Sequence, residues 1–131
     1  MDIYNKVRDI IISVVTKRYH ELDVKTLHLI TCEQPKNLKF GDLSTNVLMI
    51  LRNKISEDIN EIKDLITFDF EAISIFEKVT YLKPGFINFI LKKNIWYEVI
   101  CNIKKTNNYG FKNIGSNRRV NLEFISANPT G

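Results

Sequence analysis

The sequence predicts an α+β fold, in which a small antiparallel sheet is covered by helices. Helix-like spacing of apolar residues dominates residues 1–19 and 47–66. Two β-rich segments farther along the chain are joined by the tight turn "KPG". A single strand-like segment, "RRVNLEF", follows a stretch rich in Asn and Gly and stands apart from the rest.

The first nineteen residues are predicted to form an amphipathic helix. Asp2 suits the N-cap, and apolar residues then recur at helical spacing, at Ile3, Val7, Ile10, Ile11, Val14 and Val15. The next segment, "KTLHLITCEQP", is rich in β-formers and predicts a strand of about six residues that ends at Pro35. His28 lies in this segment and is interpreted as structural.

The segment "KFGDLSTNVLMILRNKI" predicts a turn, a cap and a helix. Gly41 would form the turn, and Asp42 or Ser44 the cap. The helix would bury Val47, Leu48, Leu51 and Ile55. A second helix is predicted over residues 57–66, and a further one is suggested by the spacing of Phe70, Ile73 and Phe76.

A β-hairpin is predicted where "KVTYL" and "FINFIL" flank the "KPG" turn. The following "NIWYEVICNIKK" predicts a helix with one apolar face, formed by Trp96, Val99, Ile100 and Ile103. Its terminal lysines suit the negative end of the helix dipole. The stretch "TNNYGFKNIGSN" then predicts a linker.

Composition, cysteine spacing and charge exclude several classes of protein. The 131 residues are 44% hydrophobic and 26% charged, with no apolar run near the roughly 20 residues that span a bilayer. The start, "MDIYNKVRDI", does not resemble a secretory signal. Cys32 and Cys101 are isolated, so neither a disulfide framework nor a zinc site is predicted. The net charge of +4 would favour an anionic partner such as RNA, and it equally suits an ordinary solvated basic surface.

The segment "FINFIL" carries the first candidate site. Strand alternation places Ile87, Phe89 and Leu91 on one face, and Phe86 and Asn88 on the other. An amide beside an aromatic ring can hydrogen-bond a base edge while the ring stacks on the base. The alternative is that Asn88 satisfies a local backbone group and Phe86 packs beneath a helix.

The segment "VNLEFISANPTG" carries the second candidate site. In a parallel sheet covered on both sides, Glu123 would be a buried carboxylate that needs a cationic partner. A guanidinium or ammonium ligand could be that partner. On an edge strand, Glu123 would instead lie in water.

Three segments, "FGDLSTN", "KPGFINFIL" and "VNLEFISANPTG", occur in the order found in arginyl-tRNA synthetases, and the whole chain resembles the N-terminal part of that family. The resemblance implies a tRNA D-loop-recognition domain over residues 1–117. Residues 118–131 would begin the first strand of a truncated Rossmann-type catalytic domain, as a fragment that stops just before the His-Ile-Gly-His signature.

The resemblance also assigns roles to individual residues. It implies that Phe86 and Asn88 read a D-loop nucleotide and that the neighbouring Lys83 contributes to tRNA binding. It implies that Glu123 binds the arginine guanidinium, and that Ser126 and Asn128 belong to the same pocket. No catalytic residue and no protein metal ligand is expected in this fragment.

The implied whole enzyme is a cytoplasmic, monomeric ligase that attaches arginine to tRNA with ATP and magnesium, while the fragment is expected to be inactive and to bind no cofactor. One alternative is a free-standing single-stranded RNA-binding module, because "KPGFINF" resembles part of an RNA-recognition motif. Another is a protein-interaction domain, which lysines scattered over every face would favour.

Overall fold

The computed structural model describes residues 2–121. In this range the α-helices are α1 (Ile3–Arg18), α2 (Val24–His28), α3 (Val47–Arg52), α4 (Ile59–Glu71) and α5 (Lys93–Lys105). The strands are β1 (Cys32–Glu33), β2 (Leu43–Thr45), β3 (Phe76–Leu82) and β4 (Phe86–Leu91). A short 3₁₀ helix spans Leu38–Phe40.

The four strands form one antiparallel sheet in the order β1-β2-β4-β3. The β3–β4 hairpin is confirmed, with Leu82 paired to Phe86 across the "KPG" turn. β2 adds to the other edge of β4 through the pairing of Ser44 with Asn88. The predicted α+β class, with a small antiparallel sheet and helices, is confirmed.

The core lies between one face of the sheet and the helices. Leu43, Ile87 and Phe89 are fully buried on that face, as the alternation in "FINFIL" predicts. Phe89 stacks on Phe76 with ring centroids 4.3 Å apart and meets the ring of Phe70 edge-on at 5.2 Å. This aromatic cluster joins α4 to both strands of the hairpin.

α1 confirms the first predicted helix. The carboxylate of Asp2 accepts hydrogen bonds from the backbone N–H groups of Tyr4 and Asn5, as an N-cap does. The predicted apolar face is buried except at Ile10, which is half-buried.

The strand predicted over "KTLHLITCEQP" is wrong for most of its length. Residues 24–28 form α2, and only Cys32 and Glu33 join the sheet. Asp23 decides the local structure, because its carboxylate accepts a 2.6 Å hydrogen bond from the backbone N–H of Thr26 and caps a helical turn. Capping therefore outweighs the β propensity of the residues that follow.

The helix cap predicted at Asp42 or Ser44 is also wrong. Asp42 directly precedes β2 and Ser44 lies within it, and the helix α3 begins only after Asn46. The predicted burial of Val47, Leu48 and Leu51 is confirmed. Ile55 was predicted on the same helical face, but α3 ends at Arg52 and Ile55 is half-buried beyond it.

α4 merges two predicted helices. It runs without a break to Glu71, past the predicted end at residue 66, and Phe76 lies on β3 instead of on a further helix. The predicted α5 forms, but of its apolar face only Val99 is buried, while Ile100 is 53% exposed.

Residues 106–121 contain neither a helix nor a strand and are exposed, which agrees with the linker predicted over 106–117. Of the strand-like segment "RRVNLEF", residues 118–121 are described and form no strand, and residues 122–124 lie outside the described residues. The domain boundary at residue 117 stays a prediction.

Candidate nucleic-acid interface

A row of polar side chains crosses the sheet on the face opposite the core, here called the outer face. Glu33 pairs with Ser44, Ser44 with Asn88, and Asn88 with Thr80, so one residue from each strand stands in register. Paired residues of neighbouring strands point to the same side of a sheet. The outer face therefore presents a carboxylate, two hydroxyls and an amide side by side.

Asn88 is the buried member of this row, with 2% of its surface exposed. No group within residues 2–121 donates a hydrogen bond to its Oδ1, which is itself buried. The side-chain oxygen of Asn88 therefore does not support the alternative in which Asn88 satisfies a local backbone group. A buried polar atom without a partner costs about 1–3 kcal/mol, and a bound group that reached this oxygen and donated a hydrogen bond to it would remove that cost.

Two aromatic side chains flank this amide. Phe86 is half-buried two residues before Asn88 on β4, on the same side of the strand. Phe40 is 44% exposed and comes from the 3₁₀ helix that precedes β2. Sequence analysis missed Phe40, although an aromatic residue directly before a turn glycine was visible in "KFGD".

Gly41 brings Phe40 close to the sheet. Its φ is +132°, and an added Cβ would lie 2.8 Å from the carbonyl oxygen of Phe89. The next residue, Asp42, donates its backbone N–H to that same oxygen at 2.8 Å. Glycine at this position allows the loop to approach β4 at the middle of the site.

Two recesses lie on the outer face. The first has a volume of about 380 Å³ and is lined by residues that include Phe86, Asn88, Ser44 and Glu33. The second, of about 210 Å³, is lined by residues that include Thr80, Ile90, Lys39 and Lys78. The structure therefore brings the predicted pair Phe86 and Asn88 together in one recess.

Lys83 does not join them. It is exposed in the turn between β3 and β4 and lines neither recess. The lysines that line the recesses are Lys36 in the first and Lys39 and Lys78 in the second, and sequence analysis missed all three. Lysines also occur on α1, α4 and α5, so charge alone does not single out this face.

The three predicted arginine-binding residues, Glu123, Ser126 and Asn128, lie outside the described residues. Among residues 2–121, no cluster of His, Cys, Asp and Glu could hold a metal ion. In the same range, no helix has both the length and the apolar character that crossing a membrane requires.

Comparison with known proteins identifies the family. A family model described as "Arginyl tRNA synthetase N terminal domain" matches residues 4–91. The arginine–tRNA ligase of Ehrlichia ruminantium strain Gardel is 39% identical over 100 residues, which cover 76% of this chain and 17% of that protein. The ligase of Ehrlichia chaffeensis is 36% identical over 136 residues, which cover all of this chain and 24% of that protein.

The fold has a solved counterpart in an arginyl-tRNA synthetase from Plasmodium falciparum. That structure has a TM-score of 0.59 and 22% identity, over 71% of this chain and 16% of that one. This chain thus spans about a fifth of the length of the curated relatives it matches. The element order begins with two helices and does not fit an RNA-recognition motif, so that alternative is rejected. On these matches, the chain belongs to the family of arginyl-tRNA synthetase N-terminal domains.

Proposed function

We propose that this chain is the tRNA-binding domain of an arginine–tRNA ligase and that its outer face reads an unpaired nucleotide of the tRNA D-loop. One observation carries the proposal: the buried Oδ1 of Asn88 has no donor among residues 2–121, on a face lined by Phe86. Family membership supports the same partner.

The chemistry of the first recess suits a nucleobase. A side-chain amide offers both donors and an acceptor, so Asn88 can pair with a base edge that offers the complementary groups. Phe86 supplies an apolar ring for stacking, which every base accepts. Recognition would come from Asn88 and affinity from both side chains.

Lys83 would act at longer range. Because it is exposed in the hairpin turn and lies outside both recesses, its role would be phosphate attraction without base reading. Lys83→Ala should weaken binding to every tRNA alike and lower the salt dependence of binding.

The whole ligase would activate arginine with ATP and magnesium and transfer it to tRNA in the cytoplasm, as a monomer. Glu123 would then pair with the guanidinium, with Ser126 and Asn128 in the same pocket, on the first strand of a catalytic domain that begins near residue 118.

The 131 residues alone are expected to catalyse neither arginine-dependent ATP–pyrophosphate exchange nor aminoacylation. The chain spans about a fifth of the relatives that carry the ligase name. Turnover that scales with the concentration of this chain, free of host synthetase, would contradict this assignment.

A titration of the chain with labelled tRNA tests the RNA-binding function. Anisotropy should show tighter binding to tRNA with an arginine anticodon than to a single-stranded oligomer of equal length. Asn88→Ala should reduce that preference, whereas Asn107→Ala, which changes an exposed amide in the segment after α5, should not. Absence of RNA binding by the folded chain would favour the protein-interaction alternative.

A further inference from the structure

We propose that the outer face binds two consecutive unpaired nucleotides, with the ring of Phe40 between them. This inference rests on the proposed function, because it takes the outer face to be the RNA-binding surface. It adds a second nucleotide and a residue that separates the two.

The two recesses are neighbours that share part of their lining. Phe40, Leu82 and Asn88 line both. Their volumes, about 380 and 210 Å³, are each several times the roughly 30 Å³ that a water molecule occupies in the liquid. Each recess is therefore suited to a ring system, and Phe40 contributes to the wall of both.

The spacing along β4 favours two ligand groups over one. Phe86 lines the first recess and Ile90 the second, four residues farther along the strand. At about 3.3 Å per residue these positions lie roughly 13 Å apart. One base is too small to fill both recesses, whereas an unstacked strand can place successive bases in them.

The two recesses differ in chemistry. The first contains the carboxylate of Glu33 and the hydroxyl of Ser44 beside Asn88, so it offers acceptors and donors that discriminate between base edges. The second contains Lys39 and Lys78 and no carboxylate among its lining residues. Two ammonium groups attract phosphate and base acceptors alike, so the second nucleotide should be held with little base preference.

Abasic scanning tests the inference. The 131-residue chain is titrated with stem-loop RNAs of the tRNA D-arm sequence, each with one abasic nucleotide at a successive loop position. We expect an abasic nucleotide at either of two adjacent positions to weaken binding. This measurement needs only the wild-type chain. Base substitution should change affinity at the position bound in the first recess and have little effect at the position bound in the second.

Variants then assign each position to a recess. Phe40→Leu keeps an apolar side chain but removes the ring, and should weaken binding to the intact loop about 5- to 150-fold, the scale of one base stacked on an aromatic residue. This loss should shrink when either position is abasic, because the ring contacts both bases, whereas the loss from Asn88→Ala should disappear only when the first is abasic. Phe68→Leu, at a 70% exposed ring on α4, is the matched control and should change nothing.

The outcomes distinguish failure of the two-nucleotide site from failure of the proposed RNA-binding function. A single sensitive position, to which both Phe40→Leu and Asn88→Ala are coupled, would overturn the two-nucleotide site and leave the RNA-reading face intact. Loss of binding from Phe40→Leu that is equal for all abasic RNAs would also overturn it. A folded chain that binds none of these RNAs would overturn both proposals.

Discussion

At the scale of single residues, Asp42 has a role different from a helix cap. Its Oδ2 accepts a 2.8 Å hydrogen bond from the backbone N–H of Leu91, a residue that is 2% exposed. The carboxylate therefore replaces a strand partner that β2, which starts at Leu43, does not supply. Its contribution is to the end of the sheet.

Substitution of Asp42 tests this role. Asp42→Ala should lower the free energy of unfolding by about 1–3 kcal/mol, because a buried N–H loses its acceptor. Asp42→Asn keeps an oxygen in place and should cost less. Urea unfolding of both variants measures the difference, and equal losses would show that the hydrogen bond to Leu91 is not what Asp42 contributes.

The two cysteines should differ sharply in reactivity. Burial raises the pKa of the Cys32 thiol to about 12, whereas Cys101 is exposed on α5. Because the thiolate is the nucleophile, a disulfide reagent at pH 8 should label Cys101 rapidly and Cys32 only after unfolding. Cys101→Ser should abolish the fast phase of labelling. Two fast thiols in the native chain would contradict the burial of Cys32.

At the scale of elements, the sequence predicts those with strong local patterns. The apolar periodicity of α1 and the "KPG" hairpin are visible in the chain itself, and both form. β2 spans three residues, Leu43–Thr45, and exists because β4 offers it an edge. A strand that depends on a partner more than forty residues away leaves no periodic signal in the sequence. For this reason the sequence predicts a helix cap in this segment.

Gly41 lies between the 3₁₀ helix and β2, and its substitution tests how closely this loop approaches β4. Gly41→Ala combines an unfavourable positive φ with a Cβ only 2.8 Å from a backbone oxygen of β4. This variant should lower the free energy of unfolding by at least about 1–3 kcal/mol, the cost of the backbone strain. It should also weaken RNA binding, because Phe40 would be displaced. Thermal unfolding and RNA titration measure the two effects.

Gly110→Ala is the matched control. Its φ is also positive, at +87°, but an added Cβ would meet nothing within 4 Å. It should show the strain alone and leave RNA binding unchanged. If both variants behave alike in the two measurements, the approach of the loop to β4 does not position the site.

At the scale of the whole molecule, helices cover one face of the sheet while the other carries the polar row, the two recesses and Phe40. Strand alternation predicted that Phe86 and Asn88 share this outer face, because that is a property of β4 alone. Strand alternation could not place Phe40, Lys39 and Lys78 there, since they reach the site from the 3₁₀ helix before β2 and from the neighbouring strand β3. Only the folded sheet places them together.

The most direct test of the account is a double-mutant cycle that crosses Asn88→Ala with substitution of the D-loop base. With the natural base, Asn88→Ala should cost about 1–3 kcal/mol of tRNA binding, the scale of one base-specific contact. With the base removed, the loss should shrink toward zero, because the pair is already uncoupled. Circular dichroism confirms that each variant is folded. A loss of the same size on every tRNA would reduce Asn88 to a structural amide and contradict the assignment of the outer face as the RNA-reading surface.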